Sequence, residues 1–413
     1  MAFEAQDREI IRELAKQVVD ISTRPEIQKR RLGWIEHNSL RSKYPMMLVF
    51  PEGSWGEIMP ASALKCRADN ARDIERGLRM RIHVFTHFRD DSFIGNDWLV
   101  GKQIHTTGWG LDARRIPSPT DRGAWHFDPV IKEAADLKKL KYPEARYDEA
   151  STMKSLGILQ DLFGDILEVR LVGIKHISYH LMGQYTSLRG LEEVMVDMIA
   201  EPAMLHEAMS FLAEAHKRLL QQYASLNLLE FNNDNTYHNS GGNSFTDELP
   251  LADADPAHPR PCDMWASAES QELAQVSPEH HAEFALKYEK ELLKPFGLTG
   301  YGCCEDLTRK LDDVLTIPHI RRISCSPWAD VDACAAKLGG KYIFSWKPHP
   351  AHLVGDFDTT AIRKYVRHTL EATKAGGCVL ELVLKDTHTC DNHPERFDEW
   401  TRIAREEIRA VHG

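Results

Sequence analysis

From about residue 150 onward, short apolar runs alternate with longer amphipathic segments, and nothing else in the chain constrains its fold as much. The runs at 168–173, 228–231, 322–326, 341–347 and 377–384 are short, apolar and bounded by turn residues, as buried strands are. The segments at 152–163, 191–199, 202–226, 278–295, 306–314, 330–338, 358–375 and 394–410 have the length and apolar spacing of helices. Strand then helix, repeated, is the pattern of a parallel sheet covered by helices. Another apolar run between prolines, Met46 to Phe50, adds a strand near the N-terminus. No Gly-x-Gly-x-x-Gly turn follows any strand, and no Gly-x-x-x-x-Gly-Lys-Ser/Thr loop occurs. Repetition without those turns favours an α/β fold of the TIM (β/α)8 barrel type over a dinucleotide-binding sheet. The expected layout has two parts. Residues 1–150 hold a helical N-terminal extension, the first barrel strand and an inserted lid at 94–128 rich in Gly, Trp and His, including Trp125. Residues 151–413 hold the main part of the barrel.

Composition narrows the partners. The 413 residues carry a formal net charge of −11 with acids and bases interspersed. The absence of a basic run or stripe argues against nucleic acid. No stretch approaches the ~20 apolar residues that span a bilayer, so no membrane partner is expected. The charged N-terminus lacks a signal-peptide core, which leads to a cytoplasmic expectation. The 8 cysteines are then expected as thiols, and their spacing excludes a zinc ribbon or a Cys-x-x-Cys redox motif.

Chemistry collects where the strands end. In a barrel the residues just past each strand converge on one mouth. Cys303-Cys304-Glu305 is the most telling group there, because a thiolate at a strand end needs a metal, a nucleophilic role or a redox partner. Other strand ends offer Glu52; His176 and His180; Asn233, Asp234, Asn235 and His238; Tyr301; Ser326 and Trp328; Trp346, Lys347 and His349; Lys385, Asp386 and His388. A single histidine in such a place is more often a hydrogen-bonding loop residue than a ligand. His238 weighs more, since its very polar surroundings are costly to bury without a partner. Glu381 weighs more again: a carboxylate inside the apolar run 378–384 must face inward to a partner. Thiols and imidazoles at one mouth make zinc the first metal to test.

Residues 160–410 resemble the uroporphyrinogen decarboxylase superfamily, which includes zinc-using, corrinoid-linked methyltransferases. The resemblance lies in Gly300-Tyr-Gly-Cys-Cys-Glu305, in Pro318-His-Ile-Arg-Arg-Ile-Ser-Cys-Ser-Pro-Trp-Ala-Asp330, in Ser345-Trp-Lys-Pro348, and in Gly376-Gly-Cys-Val-Leu-Glu-Leu382 leading to His393-Pro-Glu-Arg-Phe397. Cys303 matches the family cysteine, while Tyr301 stands where the methyltransferases have a histidine. The decarboxylase's arginine-rich N-terminal segment has no counterpart around 44–55. The resemblance implies a TIM barrel and a zinc-dependent methyltransferase. It would move a methyl group between a small methylated substrate, such as a methoxylated aromatic or a methylamine, and a corrinoid carried on a partner protein. A homodimer is compatible with it. The expected metal ligands are Cys303, Cys304, His238 and Glu381, with Asp386, His388 or Cys378 as alternatives for the last. The expected catalytic groups are Glu381, His238 and Lys385. The expected substrate contacts are Tyr301, Trp346, Lys347, Asn235 and Glu52. Two rivals stay open: a metal-free decarboxylase or lyase using Lys347, Lys385 and His388 to stabilise charge, and a non-catalytic barrel that binds a ligand or a corrinoid protein.

Overall fold

A computed structural model describes residues 3–119 and 126–413. Trp125 and the neighbouring part of the expected lid lie outside the described residues. The main sheet holds seven strands: β1 (Met46–Val49), β2 (Ser178–Tyr179), β3 (Trp265–Ala268), β4 (Leu298–Tyr301), β5 (Ile320–Cys325), β6 (Ile343–Trp346) and β7 (Val379–Leu384). All neighbours run parallel, in the order β1-β7-β6-β5-β4-β3-β2. This is chain order, with the first strand placed beside the last.

The longer helices are α1 (Ala5–Ser22), α2 (Pro25–Asn38), α3 (Asp69–His87), α4 (Glu149–Phe163), α5 (Leu181–Arg189), α6 (Leu191–Ala200), α7 (Pro202–Ser225), α8 (Val331–Leu338), α9 (Thr359–Ala375) and α10 (Glu395–His412). Their starts are written in sequence. The Asp148, Asp330 and Asp358 side chains accept backbone N–H groups at the starts of α4, α8 and α9, satisfying donors that a helix start leaves unpaired. Among the described residues no helix is long and apolar enough to cross a membrane.

Strand side chains alternate between two faces. One face is apolar: Met47, Val49, Ile323, Phe344, Trp346, Leu380, Leu382 and Leu384 pack into the large core shared with the helices. The other face is built from Ser267, Gly300, Arg322, Ser324, Ser345, Lys347 and Glu381. A segment of the Asn-rich loop covers this polar face. A Cβ on Gly241 would lie 1.7 Å from Ser345 Oγ, and one on Gly300 would lie 2.0 Å from Ser240 Oγ. Only glycine permits so close an approach of loop to sheet.

The expected closed barrel is corrected to an open sheet, because β1 and β2 remain its two edges. Asp90 and Asp91 explain the free side of β1. Asp91 Oδ2 accepts Met47 N at 2.8 Å, Asp90 Oδ2 accepts Val49 N at 3.2 Å, and Asp91 N donates to Met47 O at 2.8 Å. An edge whose amides are taken by side chains cannot recruit a further strand. The expected strand at 228–231 is reduced to one bridge, Ile174 to Leu229. The strand Glu168–Val172 pairs instead with Asp97–Gly101. β2 and β3 lie in stretches where no strand was expected from the sequence, and the helix expected at 306–314 shortens to Leu311–Val314. A second, smaller core joins α1, α3 and α4 through Ile11, Leu14, Val18, Leu78 and Phe163.

Candidate active site

The C-terminal ends of β3, β4, β6 and β7 bring the reactive side chains together. Cys303 and Cys304 follow β4 with their Sγ atoms 3.5 Å apart. Two bonds pin the loop: Cys303 N donates to Glu305 Oε2 at 2.8 Å, and Ser324 Oγ on β5 donates to Cys303 O at 2.7 Å. Lys385, just past β7, puts Nζ 3.7 Å from Cys303 Sγ. Its neighbour Asp386 holds Oδ2 3.5 Å from Cys304 Sγ. Lys347, just past β6, is 1% exposed and bonds Ser324 Oγ and, at 3.3 Å, Ser240 O.

The charges of these groups follow from their surroundings. Burial pushes Lys347 down, as for any ammonium taken from water, and the neighbouring Lys385 adds to it. Burial opposes the charge of Lys385 too, but Tyr237, Cys303, Asp386 and Cys304 together hold it above its ordinary value. The thiols divide. Cys303, hydrogen-bonded to Cys304 and desolvated, is raised; Cys304, which receives that bond, is lowered. Cys304 therefore carries the greater thiolate character.

A second set stands alongside. Glu269, just past β3, is ion-paired with His180, just past β2. Burial favours the uncharged form of each, yet the pairing wins: His180 is raised and Glu269 is lowered. Asn239 Nδ2 reaches His180 Nε2 at 3.0 Å. Glu272 is pushed up to about 7, first by burial and then by Glu269 and Glu305. It can exchange a proton at neutral pH. Sequence reasoning gave no role to Glu269, Glu272 or Tyr237. For Glu269 and Glu272 the signal was weak, because the strand before them, β3, is four residues of Trp, Ala, Ser and Ala.

The sequence-selected residues fall into three places. Cys303, Cys304, Lys385 and Lys347 share the thiol site. Glu52 joins its rim: after burial, Asp386 raises its carboxyl while Lys385 lowers it. Asn235 lies apart, lining a cleft of about 840 Å³ with Phe50, Trp55, Phe93, Trp98 and Tyr237. Tyr237 connects the cleft with the thiols. Its ring packs on Phe50 at 4.5 Å, its hydroxyl is buried without a partner among the described residues, and burial raises it while the charge of the nearby Lys385 opposes that rise.

The remaining residues are drawn elsewhere. Glu381 lies in the interior, 3.1 Å from Arg322 Nε and 3.1 Å from His37 Nε2. The Arg322 Nε contact is a close ion pair without hydrogen-bond alignment, so the attraction is charge at short range. Arg322 also donates to Asn38 Oδ1 at 2.6 Å and to Asn243 O at 3.0 Å. His238 is buried beside Trp265 with both ring nitrogens unpaired among the described residues. Burial and then Arg322 keep it uncharged. Tyr301 and Trp346, expected at the substrate, point to the helical side of the sheet. Tyr301 Oη donates to Glu289 Oε2 at 2.7 Å and lies 2.9 Å from His281 Nε2, while Trp346 packs on Tyr365 of α9. Strand alternation explains both: in β6, Trp346 must face opposite to Lys347.

The expected metal set of Cys303, Cys304, His238 and Glu381 is divided between the thiol site and the interior. Arg322 and His37 already occupy Glu381, and His238 sits with the interior network. Among the described residues no three His, Cys, Asp or Glu side chains are arranged to hold a metal ion. The thiol site nevertheless suits a soft divalent cation in its donor types. Tetrahedral zinc–thiolate bonds of about 2.3 Å would separate two sulfurs by about 3.8 Å. The observed 3.5 Å is close to that, and Asp386 and Glu269 are the nearby carboxylates. No protein-family model matches the chain, and a comparison with curated proteins likewise finds no match.

Proposed function

We propose that the chain is a methyltransferase that moves a methyl group between a small methylated substrate and a corrinoid on a partner protein, with Cys303 and Cys304 at its reacting centre. The supporting observation is the pair of thiols 3.5 Å apart at the strand ends, with a substrate-sized cleft lined by the nearby Tyr237. Methyl transfer suits soft donors, and a cleft of this size with aromatic walls suits a small organic substrate. We take the chain-order sheet, with β1 beside β7, as an α/β barrel opened at one seam. Its active edge is then the C-terminal one.

Zinc, when bound, would supply a Lewis acid held by Cys303 and Cys304, with Asp386 or Glu269 completing the donors. The chain's own residues do the rest. Lys385 keeps a positive charge beside the two thiols and so adds to the thiolate character of Cys304. His180, raised by Glu269, favours its charged form and places that charge at the strand ends. Tyr237 and Phe50 form an aromatic wall of the cleft.

A metal-free lyase is the second reading, favoured by one fact: the Lys385 ammonium already stands 3.7 Å from Cys303. Two experiments separate them. Elemental analysis of the purified chain should find about one zinc per chain. Methylcobalamin with a thiol acceptor should then lose its methyl–cobalt absorbance in the presence of the chain. The Cys303→Ser/Cys304→Ser double variant should lose both the metal and the transfer; a variant that keeps both sinks the proposal.

A further inference from the structure

We propose that Cys303 and Cys304 close into a reversible vicinal disulfide, and that the partner in this exchange is a low-molecular-weight disulfide such as glutathione disulfide. The inference stands on the geometry of the pair, whichever reaction the site performs. The two Sγ atoms are 3.5 Å apart, so they must approach by about 1.5 Å to reach the ordinary S–S length. The backbone of Cys303 is fixed on both sides by Glu305 and Ser324, whereas among the described residues Cys304 is held only through its side chain. Cys304 is also the more accessible of the two. It therefore meets the incoming disulfide first. The Cys304 thiolate attacks one glutathione sulfur, and one glutathione leaves as its thiolate. The Cys303 thiolate, 3.7 Å from the Lys385 ammonium, then attacks Cys304 Sγ and displaces the second glutathione. The two protons lost by the protein thiols end on the two glutathione thiolates. Two protein thiols are oxidised and one small disulfide is reduced.

Backbone spacing decides what kind of disulfide this is. Adjacent Cα atoms are about 3.8 Å apart across a trans peptide and about 2.9 Å across a cis one. Both are shorter than the separations that disulfides ordinarily span, so the ring is strained and readily reduced. The pair suits a reversible cap on the site and does not suit a permanent staple. The other clustered sulfurs, Cys325, Cys334 and Cys378, are at most 3% exposed and are shut off from a soluble oxidant.

Trypsin provides the test, because its peptide 291–309 contains Cys303 and Cys304 and no other cysteine. The folded chain is incubated with excess glutathione disulfide, blocked with N-ethylmaleimide, digested and weighed. The expected peptide carries no maleimide, is lighter than the reduced peptide by two hydrogens, and takes two maleimides after dithiothreitol. Two maleimides before reduction, or one glutathione retained, would overturn the proposal. Cys303→Ser keeps the outer thiol and should hold one glutathione, whereas Cys304→Ser keeps only the buried one and should hold little or none. A peptide lighter by two hydrogens in either variant would overturn the proposal as well.

Discussion

Replacing Glu381 by Gln separates the interior charge network from the thiol site. Glu381 and Arg322 are both fully buried, and Arg322 Nε lies 3.1 Å from Glu381 Oε1. Burial alone would raise the carboxyl, but Arg322 and then His37 hold it at about 2, against an ordinary 4.5. At about 1.4 kcal/mol per pKa unit, that difference corresponds to about 3 kcal/mol of stability. Breaking a buried ion pair from one side costs about 3–5 kcal/mol, because the surviving charge is stranded. Both routes lead to a loss of about 3 kcal/mol for Glu381→Gln at pH 7. Urea unfolding followed by far-UV circular dichroism measures it. The sign with pH is fixed too. A depressed carboxyl stabilises above its unfolded value, and that stability is lost as pH falls from about 4.5 towards 2. The gap between wild type and Glu381→Gln should therefore narrow across that window. Adding Arg322→Met to Glu381→Gln removes the stranded cation and should recover part of the loss. A single-variant loss under about 1 kcal/mol would refute the reasoning. So would abolished methyl transfer with stability intact, which would return Glu381 to the chemistry that the sequence suggested.

Further outcomes follow from neighbouring features. Asp90 is raised to about 6 by burial, so its native carboxyl binds a proton more readily than the unfolded one does. Its contribution is greatest at low pH and is lost as pH rises through about 6; from pH 5 to 7.5 wild type should lose about 1 to 1.5 kcal/mol relative to Asp90→Asn in urea titrations. Parallel pH profiles for the two would refute this. Tyr301→Phe removes the hydroxyl shared by Glu289 and His281 and should cost about 1–3 kcal/mol while KM stays unchanged; a raised KM would place Tyr301 at the substrate after all. Gly241→Ala would force a Cβ to 1.7 Å from Ser345 Oγ at φ 141° and should lower the thermal midpoint by the equivalent of about 1–3 kcal/mol or more. An unchanged midpoint would mean that the loop does not pack on the sheet.

Much of the fold is legible in the chain. The apolar runs at 322–326, 341–347 and 377–384 are strands within a residue or two, because each is apolar on a helix-covered face and bounded by turn residues. The oddity of Glu381 was legible as well: a carboxylate in such a run implied an inward partner, and Arg322 is that partner. Tyr301 and Trp346 were misplaced although the period-two alternation was available, since Lys347 and Trp346 cannot share a face. β2 and β3 escaped notice for a different reason. They are two and four residues long and rich in Ser and Ala, so neighbouring strands, more than intrinsic propensity, make them strands.

Local sequence determined the alternation of strand and helix, the helix starts at Asp148, Asp330 and Asp358, and the siting of two thiols at a strand end. Such features depend on neighbours a few residues away, so they can be read along the chain. Tertiary structure alone decided that the sheet stays open, because Asp90 and Asp91 reach β1 from a distant loop. It likewise decided that Glu381 belongs to Arg322 and His37, and that Lys385, Asp386, Glu269 and His180 gather around the thiols. Those pairings join residues tens to hundreds of positions apart. They are set by how the strands order themselves in the sheet, which no local pattern encodes.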